Sequence, residues 1–328
     1  MDQRTLGTAG PTVGAIGLGC MSFSGFYGAT DEAASHRTLA AAHDLGVTHL
    51  DTALIYGQGQ SEEIIGRFLK AHPGRRFSIA TKGGIVLQPA RHFDNSENRL
   101  REQLEGSLRR LGVEHIDLYY VHRREQERPI EEVAGTLAKF VEEGKIGGIG
   151  FSEIAPASLV RAAAVHPVAA VQSEYSLWTR LPELGLIDAC ARVGAAFVAF
   201  SPLARGMFAD RMPTRDDFGP QDFRYNTPRF VEPNFSFNRA IVQRFNAYAA
   251  SQGVAPASMA LAWVLAQAPH ILAIPGTRSA EHLVQNAASG TLALSADQLS
   301  EIDRLLPRGF AHGDRYSDQQ IVGIERYC

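Results

Sequence analysis

A single (β/α)8 barrel of the TIM type is the fold that the sequence predicts, and three observations predict it. Short apolar runs alternate with helical stretches at roughly thirty-residue spacing along the whole chain, the mark of repeated strand–helix units around a parallel sheet. Neither GxGxxG nor GxxxxGK[ST] follows an early strand, although an open doubly wound sheet that binds nucleotide wants one of them. No low-complexity tract or linker interrupts the 328 residues, so residues 1–328 read as one domain.

Residues 1–14 alternate weakly and carry Gly7, Gly10, Pro11 and Gly14, which predicts an N-terminal hairpin ahead of the barrel. The first barrel strand is the glycine-bearing run Ala15 to Met21, followed by a loop with Phe23, Phe26 and Tyr27. Asp31 then caps a helix to about Leu45. The second strand leads through Val47 into Asp51, and Ser61-Glu62-Glu63 opens the next helix. Phe77 to Lys82 is the third strand, with a helix from about Asn95 to Leu111. His115 to His122 is the fourth, with a helix from Pro129 to Glu143. The second half continues with strands at 146–151, 168–172 and 196–200, alternating with helices at 156–165 and 184–193. After Phe200 a long insertion runs to about Phe237, far beyond the usual strand–helix loop of about 2–6 residues, and predicts a lid or binding loop. Helices to Ser251 and over 256–266, a last strand at 271–274, and helices from Ser279 and Ser295 complete the barrel before an irregular C-terminal tail.

Composition narrows the function classes. A formal charge of −3 offers no attraction to nucleic acid or an anionic membrane. Cys20, Cys190 and Cys328 are too scattered for a disulfide framework or a zinc site, so no metal is expected. The first residues lack a signal-peptide core and no apolar run reaches the ~18 residues of a membrane span. A cytoplasmic protein with a small-molecule partner is expected, and nothing in the composition sets an oligomeric state.

In a barrel of this kind reactive groups sit where strands run into the following loops. Asp51, Lys82 and His122 end the second, third and fourth strands, and Tyr56 lies in the loop after Asp51. Taken singly, an Asp is more often a cap, a Lys solvated and a His packed. Together on successive strands they suit protonation of a carbonyl oxygen. A free phenol, with a pKa of ~10, is a poor acid near neutrality, and a nearby ammonium is expected to lower that value. Asp51 would hold Lys82 charged, with a Coulomb attraction of about 4 kcal/mol at ~4 Å before desolvation. His122 would orient the substrate oxygen. Such a set supplies no hydride, so a cofactor site is required.

The later strands offer one. Ile274 to His282 combines a strand end, a glycine turn and a helix start, whose free N–H groups suit a phosphate, with Arg278 and His282 beside them. Phe200, Ser201 and Arg205 follow the seventh strand, where a flat ring can stack on a nicotinamide.

The blocks DTALIYGQGQSE (51–62), TKGG (81–84), LYYVHR (118–123), VQSEYS (171–176), FSPLARG (200–206) and IPGTRSAEHLVQN (274–286) occur in an order that resembles the aldo-keto reductase family, over nearly the whole chain. The flavour is similar to the bacterial and plant branch of pyridoxal reductases and auxin-induced-type proteins. The resemblance implies NADPH-dependent reduction of an aldehyde or ketone by a tetrad of Asp51, Tyr56, Lys82 and His122, with Tyr56 as acid in reduction and base in oxidation. It implies an extended NADPH without a Rossmann domain. Ser152 and Gln172 would hold the carboxamide and Phe200 the nicotinamide. Ser201, Leu203 and Arg205 would lie by the pyrophosphate, and Gly276, Thr277, Arg278, His282, Gln285 and Asn286 by the adenosine end. Gly19, Met21 and Asp51 complete the cofactor set. The chain departs from the family in having Phe200 where many members have Tyr, Glu153 after Ser152 where many have Asn, and Gly276 where others carry Lys. NADPH preference then rests mostly on Arg278.

Two other classes compete. Some similar barrels serve as cofactor-sensing channel subunits with little turnover, and an isomerase or hydrolase barrel would need no nicotinamide. The substrate is read only as a carbonyl compound held in an apolar pocket of Phe23, Phe26, Tyr27, Ile85, Val86 and Trp178. The tail from Pro307, with Phe310, His312, Arg315 and Tyr316, is placed to close over it.

Overall fold

The computed structural model describes residues 1–28, 30–220 and 222–327. The N-terminal hairpin is formed by β1 (Gln3–Thr5) and β2 (Thr12–Gly14). The first barrel strand, β3 (Leu18–Gly19), is shorter than its apolar run, because the chain tightens into a 3-10 turn at Cys20–Ser24. Next come α1 (Glu32–Asp44), β4 (His49–Asp51), α2 (Gln60–Ala71) and β5 (Ser78–Gly83). A small hairpin that periodicity does not reveal follows, β6 (Ile85–Val86) with β7 (His92–Phe93). The order continues through α3 (Glu97–Leu111), β8 (Leu118–Val121), α4 (Ile130–Glu142), β9 (Ile149–Ser152), α5 (Pro156–Ala163) and β10 (Val168–Glu174). It ends with α6 (Leu186–Val193), β11 (Ala196–Phe200), α7 (Asn234–Ser251), α8 (Pro256–Ala266), β12 (Ile271–Ala273), α9 (Ala280–Ala288) and α10 (Ala296–Leu305).

Eight of these strands pair in parallel in the order β3-β4-β5-β8-β9-β10-β11-β12. Bridges from Ile16 to Ala273 and from Gly19 to Gly276 close the ring. A side chain at Gly19 would stand 2.8 Å from the Ile274 carbonyl, so the seam closes only on a glycine. The interior is filled by Ala80, Leu118, Tyr120, Ala170, Ala196, Val198, Leu272 and Ile274, with Leu6 and Val13 of the hairpin plugging the floor. It is a packed core rather than a channel, as this architecture requires. A larger apolar shell lies between strands and helices.

Local chemistry sets most helix starts as read. The side chains of Asp31, Ser96, Ser279 and Ser295 accept from the backbone three residues on. One start differs: α2 begins at Gln60 behind Gly59, whose φ of 103° needs glycine, and Ser61 caps nothing. Instead the Ser61 hydroxyl donates to the Cys20 carbonyl and accepts from Thr52, which ties the loop after β4 to that after β3.

The insertion after β11 carries 3-10 turns around an aromatic cluster of Phe218, Phe230 and Phe235. Among the described residues no single helix is long and apolar enough to cross a membrane; α7 and α8 pass that test only as a pair bent by 95°.

Candidate active site

The C-terminal ends of β4, β5 and β8 bring Asp51, Tyr56, Lys82 and His122 together. Lys82 is buried and its Nζ donates to Asp51 Oδ1 at 2.5 Å, to the Thr52 carbonyl at 2.8 Å and to the Tyr56 hydroxyl at 3.4 Å. His122 meets Tyr56 edge-on, with ring centroids 6.0 Å apart. The loop that presents Tyr56 turns through Gly57, Gln58 and Gly59, all at positive φ. A side chain at Gly59 would run into Arg110 at 2.6 Å. Behind Lys82, the buried Glu62 accepts from Thr81 and from Arg110, which locks α2, β5 and α3 together.

Burial sets the protonation states. Removing the Lys82 ammonium from water lowers its pKa, but Asp51 and Tyr56 outweigh that and hold the net value up, so it stays charged. The Tyr56 phenol is pushed above its ordinary value, because desolvation of a phenolate exceeds the opposing pull of Lys82. Lys82 acts on the phenol in the direction expected from the sequence, and burial, which the sequence does not show, exceeds it. His122 is held well below its ordinary value by burial and by Arg123, Lys82 and Arg91, and is a neutral imidazole at neutral pH.

On the opposite side, Ser152, Gln172 and the Glu174–Phe200 rung occupy neighbouring strand ends, with Ser152 paired to Gln172 and Glu174 to Phe200. Gln172 Nε2 donates to Asp51 Oδ2 at 2.7 Å, a bond that joins the two halves. The Ser152 hydroxyl accepts from Arg123 Nη1 at 3.1 Å. Phe200 is only half-buried. Beyond it Ser201, Ala204 and Arg205 hold positive φ, as do Gln58 and Glu153. All five lie in loops that leave the C-terminal ends of strands, where backbone strain in non-glycine residues commonly marks a functional rim.

The expected phosphate end is assembled in part. Gly276 bridges Gly19, Thr277 turns the chain by accepting from the Ser279 amide at 3.0 Å, and Ser279 caps α9. Arg278 stands against Gly28, where an added Cβ would come 3.0 Å from its Nη1. His282 is exposed, Asn286 is buried, Leu203 and Met21 are half-buried, and Gln285 Nε2 is engaged by Asp210. A glycine-lined strand seam, a capped helix start, an arginine and a half-buried aromatic residue fit an extended dinucleotide. Arg205 does not stand as anticipated. It is buried against Glu174 at 2.9 Å and lies between the rings of Phe223 and Tyr316. Its neighbour across β10 and β11, more than the chain order, decides where it points.

The expected pocket residues divide. Phe26 and Tyr27 form a rim, Phe26 tilted on Phe223 at 5.7 Å and Tyr27 under Arg224 at 5.1 Å. Ile85 is buried in the small β6–β7 hairpin, Val86 is half-buried there, and Trp178 is buried against Phe230 and Arg229. Phe23 is a correction: the 3-10 turn directs it into the main core, where it is fully buried. The tail does cross the mouth. Arg315 pairs with Glu153 through both Nη atoms, at 3.0 and 2.5 Å, and the buried Glu325 bonds Arg124 and the Ala155 amide. Reading the sequence missed Arg123, Glu174 and the partner of Glu153. Only the arginine directly after His122 carried a local signal.

Comparison with known proteins agrees with this geometry. The model described as the aldo/keto reductase family matches residues 15–307. The chain is 41% identical over 313 residues to the aldo-keto reductase yakc of Schizosaccharomyces pombe, whose name carries NADP(+), covering 93% of this chain and 92% of that one. Among solved structures it is similar to the glycerol dehydrogenase AKR11B4 of Gluconobacter oxydans, with a TM-score of 0.85, 30% identity and coverage of 94% and 95%. It is also similar to an aldo/keto reductase of Klebsiella pneumoniae in complex with NADP and acetate, with a TM-score of 0.72, 27% identity and coverage of 97% and 99%.

Proposed function

The chain belongs to the aldo/keto reductase family, and on that premise we propose that it reduces an aldehyde or ketone at the expense of NADPH with Tyr56 as general acid. The observation that carries the reading is the Tyr56 hydroxyl 3.4 Å from a buried Lys82 that Asp51 holds at 2.5 Å. The phenol keeps its proton at rest because burial penalises the phenolate. As negative charge develops on a substrate oxygen, the proton moves from Tyr56 to that oxygen, and Lys82 stabilises the phenolate left behind. Neutral His122 orients the oxygen by donating from its ring. In the reverse direction the phenolate removes the alcohol proton.

Ser152 and Gln172 would hold the carboxamide, Phe200 would lie against the nicotinamide ring, and the turn from Gly276 to Ser279 with Arg278 would take the adenosine phosphate. Bound there, the dinucleotide supplies the hydride. Gln172 would serve both halves, since the same amide steadies Asp51. Arg205 is assigned to the mouth, with Glu174, rather than to the pyrophosphate.

The test is steady-state NADPH consumption with a panel of aldehydes, alongside NADPH titration by protein fluorescence. Tyr56→Phe is expected to lose roughly 10²–10⁴-fold in turnover, the contribution of a positioned acid, with cofactor affinity nearly intact. Unchanged turnover would mean that the acid is another group. Tight NADPH binding with no turnover on any carbonyl would instead favour a cofactor sensor.

A further inference from the structure

Most arginines around the barrel mouth are neutralised. Arg315 is paired with Glu153, Arg205 with Glu174, Arg224 with Asp222 and Arg124 with Glu325. Arg229 bonds only neutral groups, Thr179 and the Gly313 carbonyl, and so keeps its charge. Arg123 and Arg91 are likewise left with positive charge. Among the described residues neither Arg123 nor Arg91 has a carboxylate within ion-pair distance, and Arg123 Nε is buried without a hydrogen-bond partner. Arg123 Nη1 reaches the His122 carbonyl at 2.7 Å and Ser152 Oγ at 3.1 Å. Its guanidinium is therefore fixed between the residue that would orient the substrate oxygen and the one that would hold the carboxamide. Arg91 sits over Phe93 on the β6–β7 hairpin, which follows directly from Lys82.

Burial and then Arg123 hold the Arg91 guanidinium below its ordinary value, and both arginines lower His122. Arg123 also acts on the phenols of Tyr56 and Tyr316. A guanidinium with a buried donor unspent and no carboxylate partner is unfavourable unless an anion joins it. The cofactor phosphates do not meet this need, because the predicted phosphate end lies beyond β11 and β12, across the barrel from β8. What remains beside His122 is the substrate.

Resting on the reductase reading above, we propose that Arg123 forms an anion-recognising edge of the carbonyl pocket. The preferred substrates are then aldehydes or ketones that carry a carboxylate or a phosphate. A guanidinium suits both, through paired donors in a planar fork.

The experiment compares kcat/KM, with saturating NADPH, for the three carboxybenzaldehyde isomers and 4-formylphenyl phosphate against the uncharged methylbenzaldehydes. At least one anionic substrate is expected to exceed its neutral counterpart by roughly 10- to 100-fold, the strength of a charged hydrogen bond, and the ratio should narrow as ionic strength rises. In Arg123→Met that ratio should collapse towards one, mainly through KM. Each ratio is measured on one preparation, so partial misfolding of a variant cancels. Preference for carboxylate alone or phosphate alone supports the proposal and names the anion. Neutral aldehydes turned over as well as every anionic one would overturn it. Equal loss on neutral and anionic substrates in this variant would also overturn it, since Arg123 would then act only through His122 and Ser152. If no aldehyde at all is reduced, it is the reductase reading that fails.

Discussion

At Tyr56 two effects of opposite sign meet, and their balance decides the chemistry. Lys82 draws the phenol down, burial pushes it up, and burial wins. On the reading proposed above, a phenol in that state would hold one proton until the substrate oxygen becomes basic. The Lys82–Asp51 pair that makes this possible is weak evidence for stability, since taking both charges out of water costs about as much as their attraction returns. Its value lies in aim. Arg278 is the other residue on which a sharp expectation rests. With Gly276 contributing no side chain on the neighbouring position, Arg278→Ala should weaken NADPH by about 10-fold or more, the range for loss of a charged hydrogen bond, and NADH far less. Titration of both dinucleotides by fluorescence quenching checks this; equal weakening would remove Arg278 from the 2′-phosphate.

Among the elements, the tail is the one whose role depends on partners far along the chain. It is tied down by Arg315 on Glu153 and by Glu325 on Arg124 and on the Ala155 amide. Gln320 adds a bond to the Phe223 carbonyl in the insertion. Glu153 follows Ser152 directly, so the strap is fastened beside the residues that would grip the carboxamide. Arg315→Met would leave Glu153 as a buried carboxylate without its guanidinium, a loss of about 3–5 kcal/mol if the pair behaves as fully buried. The expected result is faster amide exchange over residues 310–327 and a several-fold higher KM for carbonyl substrates. Unaltered exchange in the tail would show that Glu325 and Gln320 suffice to hold it. The insertion is legible in the sequence as an overlong loop; that it shares the rim with Phe26, Tyr27 and Tyr316 is not, because those rings come from three distant segments.

For the molecule as a whole, closure and pH response come from the same interior. Arg4 of β1 donates to the carbonyls of Leu265, Ala268 and Ile271, so the floor of the barrel is pinned to the end of α8 and the start of β12. Above it, His49 shares the inward face of β4 with Asp51, is fully buried and has neither ring nitrogen bonded. Burial lowers its pKa, against a smaller upward pull from Asp51, and His122 is lowered further. The unfolded chain takes up these protons near the usual ~6.5 while the folded chain does not. Stability is therefore full above that pH and falls as pH drops from it towards the folded values. Glu174 adds a second loss at lower pH: burial would raise it, but Arg205, Arg315 and Arg229 outweigh that and hold it below its ordinary value. Melting temperature should decline from pH 7 to 5.5, and His49→Phe should flatten part of that slope. An unchanged slope in the variant would place the response elsewhere.

Strand and helix order, the cap at Asp31, the helix starts at Ser279 and Ser295, and the family were legible in one dimension, because periodicity, capping and motif spacing are properties of near neighbours. So was the meeting of Asp51, Lys82 and His122, since successive barrel strands must end on one face. Tertiary structure alone decided the burial that opposes Lys82 at Tyr56, the inward turn of Phe23, the pairing of Arg205 with Glu174 and of Arg315 with Glu153, and the placing of Arg123 between His122 and Ser152 without a carboxylate. Desolvation and charge pairing depend on which groups from distant strands end up side by side, and no local pattern carries that information.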